Sequence, residues 1–291
     1  MNKNNLFKFV RTVMCCAVFV TAGASASEPR IVAVGGALTE IVYALGAENL
    51  LAGVDTTSQW PEAAKALPQV GYMRNLSAEG ILSLMPTLLL TTQSSGPQTI
   101  IEQIRQAGVE VKTVNEDNSA DGVVSKIRAV AEWLNVSEQG ERLAQQVQND
   151  FDRLGQFTAG IGQRPKVLFV LTLSRGAPIV SGEGTSADAM IRIAGGDNAL
   201  KGFEGFKPAS SEALIEAAPD VIVLTDMAAN AIGGIERLFE MPGFDATPAG
   251  KLRKAVTMDT SYLLGFGPRS GQAALDLAMR LRAVDAVASE R

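Results

Sequence analysis

The sequence predicts an α/β fold class: two Rossmann-like lobes with parallel sheets, joined by a single long helix. Three observations predict it. Short apolar runs alternate with segments of helical spacing along most of the chain. One long stretch, 137–160, interrupts that alternation with a single amphipathic pattern. A motif of sixteen residues recurs without gaps on either side of the interruption.

The first 26 residues stand apart from this pattern. Lys3, Lys8 and Arg11 precede an apolar run from about Val13 to Val20, and Ala24-Ser25-Ala26 has the small side chains of a signal peptidase site. This reads as a secretory signal peptide over 1–26, with an apolar core too short to span a bilayer. Cys15 and Cys16 both fall inside it, behind Val13 and Met14, which make no lipoprotein box. The expected mature chain is exported, not inserted in a membrane, and has no disulfide, thiolate ligand or lipid anchor. Removing the signal takes three positive charges and no acids, so the formal charge moves from −5 to −8. Such a balance does not suit a nucleic-acid partner. The chain has no histidine, which excludes imidazole zinc or manganese sites, Ser-His-Asp triads and imidazole general bases.

The N-terminal lobe is expected over 27–136. Its candidate strands are RIVAVG (30–35), LLAGVD (50–55), TLLLTT (87–92) and VEVKTV (109–114), separated by helical segments such as ALTEIVYALGA and QTIIEQIRQAG. The apolar runs are continuous rather than alternating, which is the pattern of strands buried on both faces of a parallel sheet. The connecting helix is expected over 137–161, because Leu143, Val147, Phe151 and Leu154 are spaced three and four apart. After the breaker GQRPK the alternation resumes in a C-terminal lobe over 162–291, with strands KVLFVLT (166–172), DVIVLT (220–225) and AVTM (255–258). One continuous helix at the junction leaves few residues to absorb a large hinge rotation.

The repeat pairs SAEGILSLMPTLLLTT (77–92) with SSEALIEAAPDVIVLT (210–225). Ser77 matches Ser210, Glu79 matches Glu212, Pro86 matches Pro219 and Thr92 matches Thr225. Each copy reads as a helix capped by serine, with glutamate at the positive end of its dipole, then a proline break and a strand. The same order in both halves points to related lobes facing each other, with a ligand in the cleft between them.

Four segments then bear on function: GALTEIVYALGAENLLAGVD, VGYMRNLSAEGILSLMP, GTSADAMIRIAGGDNAL and YLLGFGPRSG. Together they resemble the periplasmic substrate-binding proteins of ABC importers for metal chelates, the class whose two lobes are joined by one rigid helix. Within that class the chain is similar to the haem-binding subgroup, through Tyr72 and the LGFGPR segment. The resemblance implies a periplasmic protein that is not an enzyme. It would carry haem as a transported ligand rather than a catalytic cofactor, held in the inter-lobe cleft. Its partner would be an inner-membrane ABC transporter, a permease dimer with its ATPase subunits, and the protein itself is expected to be a monomer. The resemblance also implies Tyr72 as axial ligand of the haem iron and Arg74 as its support. Acidic residues on opposite lobes, here Glu79 and Glu212, would dock the transporter.

The residues allow the same chemistry. Haem iron accepts a tyrosine phenolate as well as histidine, cysteine or methionine. With histidine absent and both cysteines in the signal, tyrosine and methionine remain, and hard ferric iron prefers the anionic oxygen. A phenol that ionises near pH 10 is helped by a nearby guanidinium. Arg74, two residues on in an extended segment, is expected on the same side as Tyr72. Tyr43 reads as packing, and Tyr262, before an apolar turn, as a weaker candidate for the cleft wall.

The segment LGFGPRSG (264–271) has glycines at 265, 267 and 271, but only one helix follows it, so it lacks the context of a dinucleotide loop. It reads either as a structural strand-to-helix turn or as a seat for an anion such as a haem propionate, with Arg269 in the first turn of the helix. Some relatives supply a second axial histidine from the far lobe. This chain has Arg175 in that neighbourhood, so ligation by a single tyrosine is expected. Met73, Met190, Met227 and Met241 read as core or cleft lining. Two alternatives stay open: the same fold carrying a ferric siderophore or cobalamin, and an exported α/β enzyme. Only Trp60 and Trp133 offer indole walls, and no G-x-S-x-G elbow, Walker loop or metal-ligand cluster is present.

Overall fold

The computed structural model describes residues 29–160, 162–174 and 177–289. The expected signal peptide and Arg175 lie outside these residues. The N-terminal lobe runs β1 (Ile31–Ala33), α1 (Gly36–Ala44), β2 (Leu51–Val54), β3 (Gly71–Tyr72), β4 (Asn75–Leu76), α2 (Ala78–Leu82), β5 (Leu88–Thr92), α3 (Gln98–Gln106), β6 (Glu110–Val114) and α4 (Ala120–Trp133). Helix α5 (Ser137–Thr158) then crosses to the second lobe. That lobe begins β7 (Lys166–Ser174), β8 (Ala177–Ser181), α6 (Ser186–Ile193), β9 (Asp197–Asn198), β10 (Phe206–Pro208), α7 (Ser211–Ala217) and β11 (Val221–Thr225). It ends α8 (Asp226–Ala231), α9 (Ile235–Leu238), α10 (Pro248–Lys251), β12 (Ala255–Met258), α11 (Thr260–Leu264) and α12 (Ser270–Ser289).

The first sheet has the order β2-β1-β5-β6, and every pair in it is parallel. The second has the order β10-β8-β7-β11-β12, with β9 added on β7. Its β7-β11-β12 part is parallel, whereas β8 and β10 run antiparallel. The expectation of parallel sheets therefore holds for the first lobe and for only part of the second. The antiparallel strands APIVS and FKP are short and broken by Pro178 and Pro208, so they form no apolar run. Pro208 lies on the edge strand, where a missing N–H need not break the ladder.

Two-sided burial explains the continuous apolar runs. In β1, Ile31 and Ala33 enter a core shared with α4 and α5, while Val32 and Val34 enter another layer with Leu89, Ile81 and Ile104. In β7, Val167 and Phe169 face the shared core, and Leu168 and Val170 face Leu214, Ile222 and Phe244. The shared core is continuous from one lobe to the other through Val147, Phe151 and Leu154 of α5. A helix of 22 residues is about 33 Å long, enough to brace both lobes.

Two glycines set how closely other helices approach it. A Cβ on Gly140 would stand 2.2 Å from the Cβ of Ala131 in α4, and one on Gly271 would stand 2.7 Å from the Cβ of Asp150. Neither position has room for a methyl group unless the helices move apart.

Both copies of the repeat fold alike. Ser77 accepts a hydrogen bond from the Gly80 N–H at 3.3 Å, and Ser210 accepts one from the Ala213 N–H at 3.2 Å. The correspondence extends to the residues before the prolines, since Met85 and Ala218 are both left-handed, with φ of 48° and 43°. Among the described residues no helix is long and apolar enough to cross a membrane.

Candidate ligand site between the lobes

In open parallel sheets, ligands settle outside the carboxyl ends of the strands. Here a loop beyond the carboxyl end of β2 meets the turn beyond α11 of the other lobe. The loop after β2 carries Trp60, and the turn after α11 carries Arg269, whose guanidinium lies 4.6 Å from the centre of the Trp60 ring. Gly267 of the same turn lies so close to α1 that a Cβ on it would be 3.3 Å from the Cα of Ala37.

A buried carboxylate organises the floor on the N-terminal side. Asp55, at the end of β2, accepts hydrogen bonds from the Gly35 N–H (2.9 Å), the Thr57 N–H (3.0 Å) and the hydroxyls of Thr57 and Ser58 (both 3.0 Å). It thereby ties the start of α1 to the loop that carries Trp60.

Tyr72 stands on a hairpin pinned to this floor. β3 and β4 pair antiparallel with Tyr72 opposite Asn75, so Met73 and Arg74 form a two-residue turn. The Gly71 carbonyl accepts from the Thr56 N–H, in the loop after β2, at 2.9 Å. The loop after β5 closes the other side: the Gly96 N–H donates to Met73, and the Leu76 N–H donates to Gly96, both at 2.9 Å. Met73 packs partly buried beneath the turn. Tyr72 is 46% exposed, and neither its hydroxyl nor the exposed Arg74 has a hydrogen-bond or ionic partner among the described residues. The position of Arg74 differs from expectation. Extended alternation would put it on the same side as Tyr72, but the strand ends at Tyr72 and Arg74 lies within the reversing turn, where that alternation does not hold.

Arg269 also differs from expectation. It is no open anion seat, because it donates through Nε (2.9 Å) and Nη2 (2.6 Å) to both oxygens of Glu40 in α1. It also lies over the Trp60 and Tyr262 rings, the latter 5.1 Å from the guanidinium to the ring centre. The Glu40 side chain is 7% exposed and that of Arg269 25%. Burial raises the Glu40 carboxyl above its ordinary value, the hydrogen bonds and charge of Arg269 pull it back, and Asp259 adds a smaller upward push. Burial likewise raises the Tyr262 phenol, with Asp276 contributing in the same direction. Beside this stack, Lys126 of α4, itself buried, donates to the Phe266 carbonyl at 3.0 Å. Burial lowers its ammonium below the usual lysine range, against the pull of Glu116 and Asp117.

Among the remaining candidates, Tyr43 packs against the shared core, and burial followed by Glu48 raises its phenol. Met190 is core, and Met241 is partly buried. Met227 is 67% exposed at the start of α8, directly after the carboxyl end of β11. Glu79 and Glu212 are exposed in the first turns of α2 and α7, one on each lobe. Its own backbone N–H and Ser210 hold Glu212 below the usual carboxylate range. A separate hollow of about 360 Å³ lies along α5 and α12 against Tyr262, Asp150 and Gln272, and Tyr72 is not among its walls. Among the described residues no group of three or more acidic, histidine or cysteine side chains is placed to hold a metal ion.

A family model described as periplasmic binding protein matches residues 31–262. The chain belongs to the periplasmic binding protein family. Among solved structures this family member is similar to the periplasmic heme-binding protein BhuT in complex with two hemes: 44% identity, 88% of this chain and 98% of that one covered, TM-score 0.85. It is also similar to the periplasmic heme-binding protein RhuT from Roseiflexus sp. RS-1 in apo form, at 41% identity, with 88% and 99% covered and a TM-score of 0.84. The vitamin B12-binding protein of Pectobacterium carotovorum subsp. carotovorum (strain PC1) is 26% identical over 209 residues, covering 71% of this chain and 75% of that protein.

Sequence reasoning about this periplasmic binding protein missed Asp55, Glu40 and Lys126. Asp55 had a local signal, an aspartate closing an apolar run and followed by Thr-Thr-Ser, a pattern suited to side-chain capping of a turn. Glu40 and Lys126 had none, because their partners lie 229 and 140 residues away.

Proposed function

We propose that this periplasmic binding protein captures haem between its lobes and delivers it to an inner-membrane ABC transporter, with the Tyr72 phenolate as axial ligand of the iron. The observation that carries this reading is the setting of Tyr72. A phenol with no partner among the described residues stands half exposed on a hairpin pinned by the loops that follow β2 and β5, in a chain without histidine. The similarity to haem-binding proteins at 41–44% identity supports haem over other chelates. Arg74, within the hairpin's two-residue turn and without a partner among the described residues, is available to favour the phenolate or to meet a propionate. Trp60 and Met227 offer apolar surface to the macrocycle, one from each lobe. Haem is cargo here, and the protein performs no catalysis. Residues 1–26 would direct the mature chain, a monomer, to the periplasm.

Titration of the purified protein with hemin tests the reading. A saturable shift of the Soret band to a high-spin ferric tyrosinate spectrum is expected, with no comparable response to cyanocobalamin. Tight cobalamin binding without a hemin response would transfer the proposal to a corrinoid, in line with the vitamin B12-binding relative.

Glu79 and Glu212 serve, on this reading, as docking points for the two halves of the permease dimer and its ATPase subunits. Rim charges of this kind mainly set orientation and encounter rate. Replacing both with alanine should leave the hemin spectrum unchanged. Uptake by vesicles containing the importer should fall several-fold, and further than with either single replacement. Normal delivery by the double variant would reduce the repeat to helix capping.

A further inference from the structure

We infer that the turn Phe266–Arg269 is an inter-lobe latch, carried by the C-terminal lobe and gripped by two buried charged residues of the N-terminal lobe, Glu40 and Lys126, so that it helps fix the lobe angle alongside the connecting helix. Four contacts meet in these four residues. The Lys126 ammonium reaches the Phe266 carbonyl at 3.0 Å. Gly267 lies close against Ala37, where an added Cβ would sit 3.3 Å from the Ala37 Cα. The Arg269 fork closes on both Glu40 oxygens. Its guanidinium lies 4.6 Å from the ring centre of Trp60 of one lobe and 5.1 Å from that of Tyr262 of the other.

The backbone supports a built joint rather than an incidental touch. Phe266 is buried and left-handed, with φ of 48°. A bulky residue keeps that conformation only where its surroundings over-determine it. Opening the cleft would separate Glu40 from Arg269 and Lys126 from the Phe266 carbonyl together, and would expose the inner faces of the stack. Because Arg269 has its fork engaged by Glu40 and lies over the Trp60 ring, it acts on the cleft by holding Trp60 in place rather than by touching a ligand. The latch does not depend on which chelate the cleft receives.

Both cysteines of the sequence, Cys15 and Cys16, lie in the expected signal, so the mature chain suits paired labelling. Spin labels at Gln103→Cys in α3 and Glu240→Cys after α9, both exposed positions on opposite lobes, report the inter-lobe distance by pulsed dipolar spectroscopy without ligand. The parent should show one narrow distribution. Arg269→Met should broaden it and shift it to longer distance. Two milder variants, Arg269→Lys, which loses the planar fork, and Lys126→Met, which keeps length without charge, should broaden it as well. Far-UV circular dichroism confirms which variants are folded. If the folded variants keep the parent distribution, the helix and shared core alone set the angle and the latch is overturned.

Discussion

Arg269→Met is expected to lower stability by about 3–5 kcal/mol, the usual cost of leaving one partner of a buried ion pair uncompensated. The loss should also depend on pH in a distinctive direction. Burial already raises the Glu40 carboxyl, and Arg269 is the group that opposes it. Without Arg269, burial and Asp259 both act upward. A carboxyl whose folded value lies above its unfolded value adds stability below the unfolded value, about pH 4.3, and that stability is lost as pH rises through the folded value. The variant should therefore be closest to the parent in mild acid and fall progressively behind it toward pH 8. Urea midpoints across that range measure this directly. A deficit that stayed constant with pH would mean that Glu40 is not the charge Arg269 neutralises.

Tyr72→Phe is expected to weaken hemin binding by more than about 100-fold, since removing a ligand atom exceeds the 10–100-fold typical of losing a supporting group. The ring remains and only the oxygen goes, so the ferric tyrosinate bands should disappear while the fold is kept. Stability should change by no more than about 0.5 kcal/mol, because the hydroxyl has no partner among the described residues and the side chain is half exposed. Tyr262→Phe makes the contrast: its phenol lies in the Arg269 stack, so the spectrum should survive. Arg74→Ala should raise the pH at which the tyrosinate spectrum forms. An unchanged spectrum in Tyr72→Phe would remove Tyr72 from the iron.

Several elements were legible in the sequence for identifiable physical reasons. Strands such as Leu88–Thr92 and Val221–Thr225, buried at every position, announced themselves because a strand covered on both faces must be apolar throughout. Helix α5 was legible because one stripe of it faces the shared core while the remainder faces water. The matched caps of Ser77 and Ser210 were legible because capping is local, settled within three residues. Tyr72 was singled out through the resemblance to haem-binding proteins, and the absence of histidine is what composition added to it.

Tertiary structure decided what lies between elements. Strand β8 forms on the edge that β7 offers and β10 on the edge that β8 then offers, and neither has a pattern of its own. The turn that places Arg74 beyond Tyr72 depends on hydrogen bonds from the loops after β2 and β5, which come from distant parts of the chain. The sequence offered Arg269 as a cation for an anionic ligand, and the fold assigned it to Glu40. Residue type and local spacing determine which charges a chain has and which helix or strand bears them. Which opposite charge each one meets is settled by packing, because a buried ion must find its counter-ion wherever the closed lobes bring one within about 3 Å.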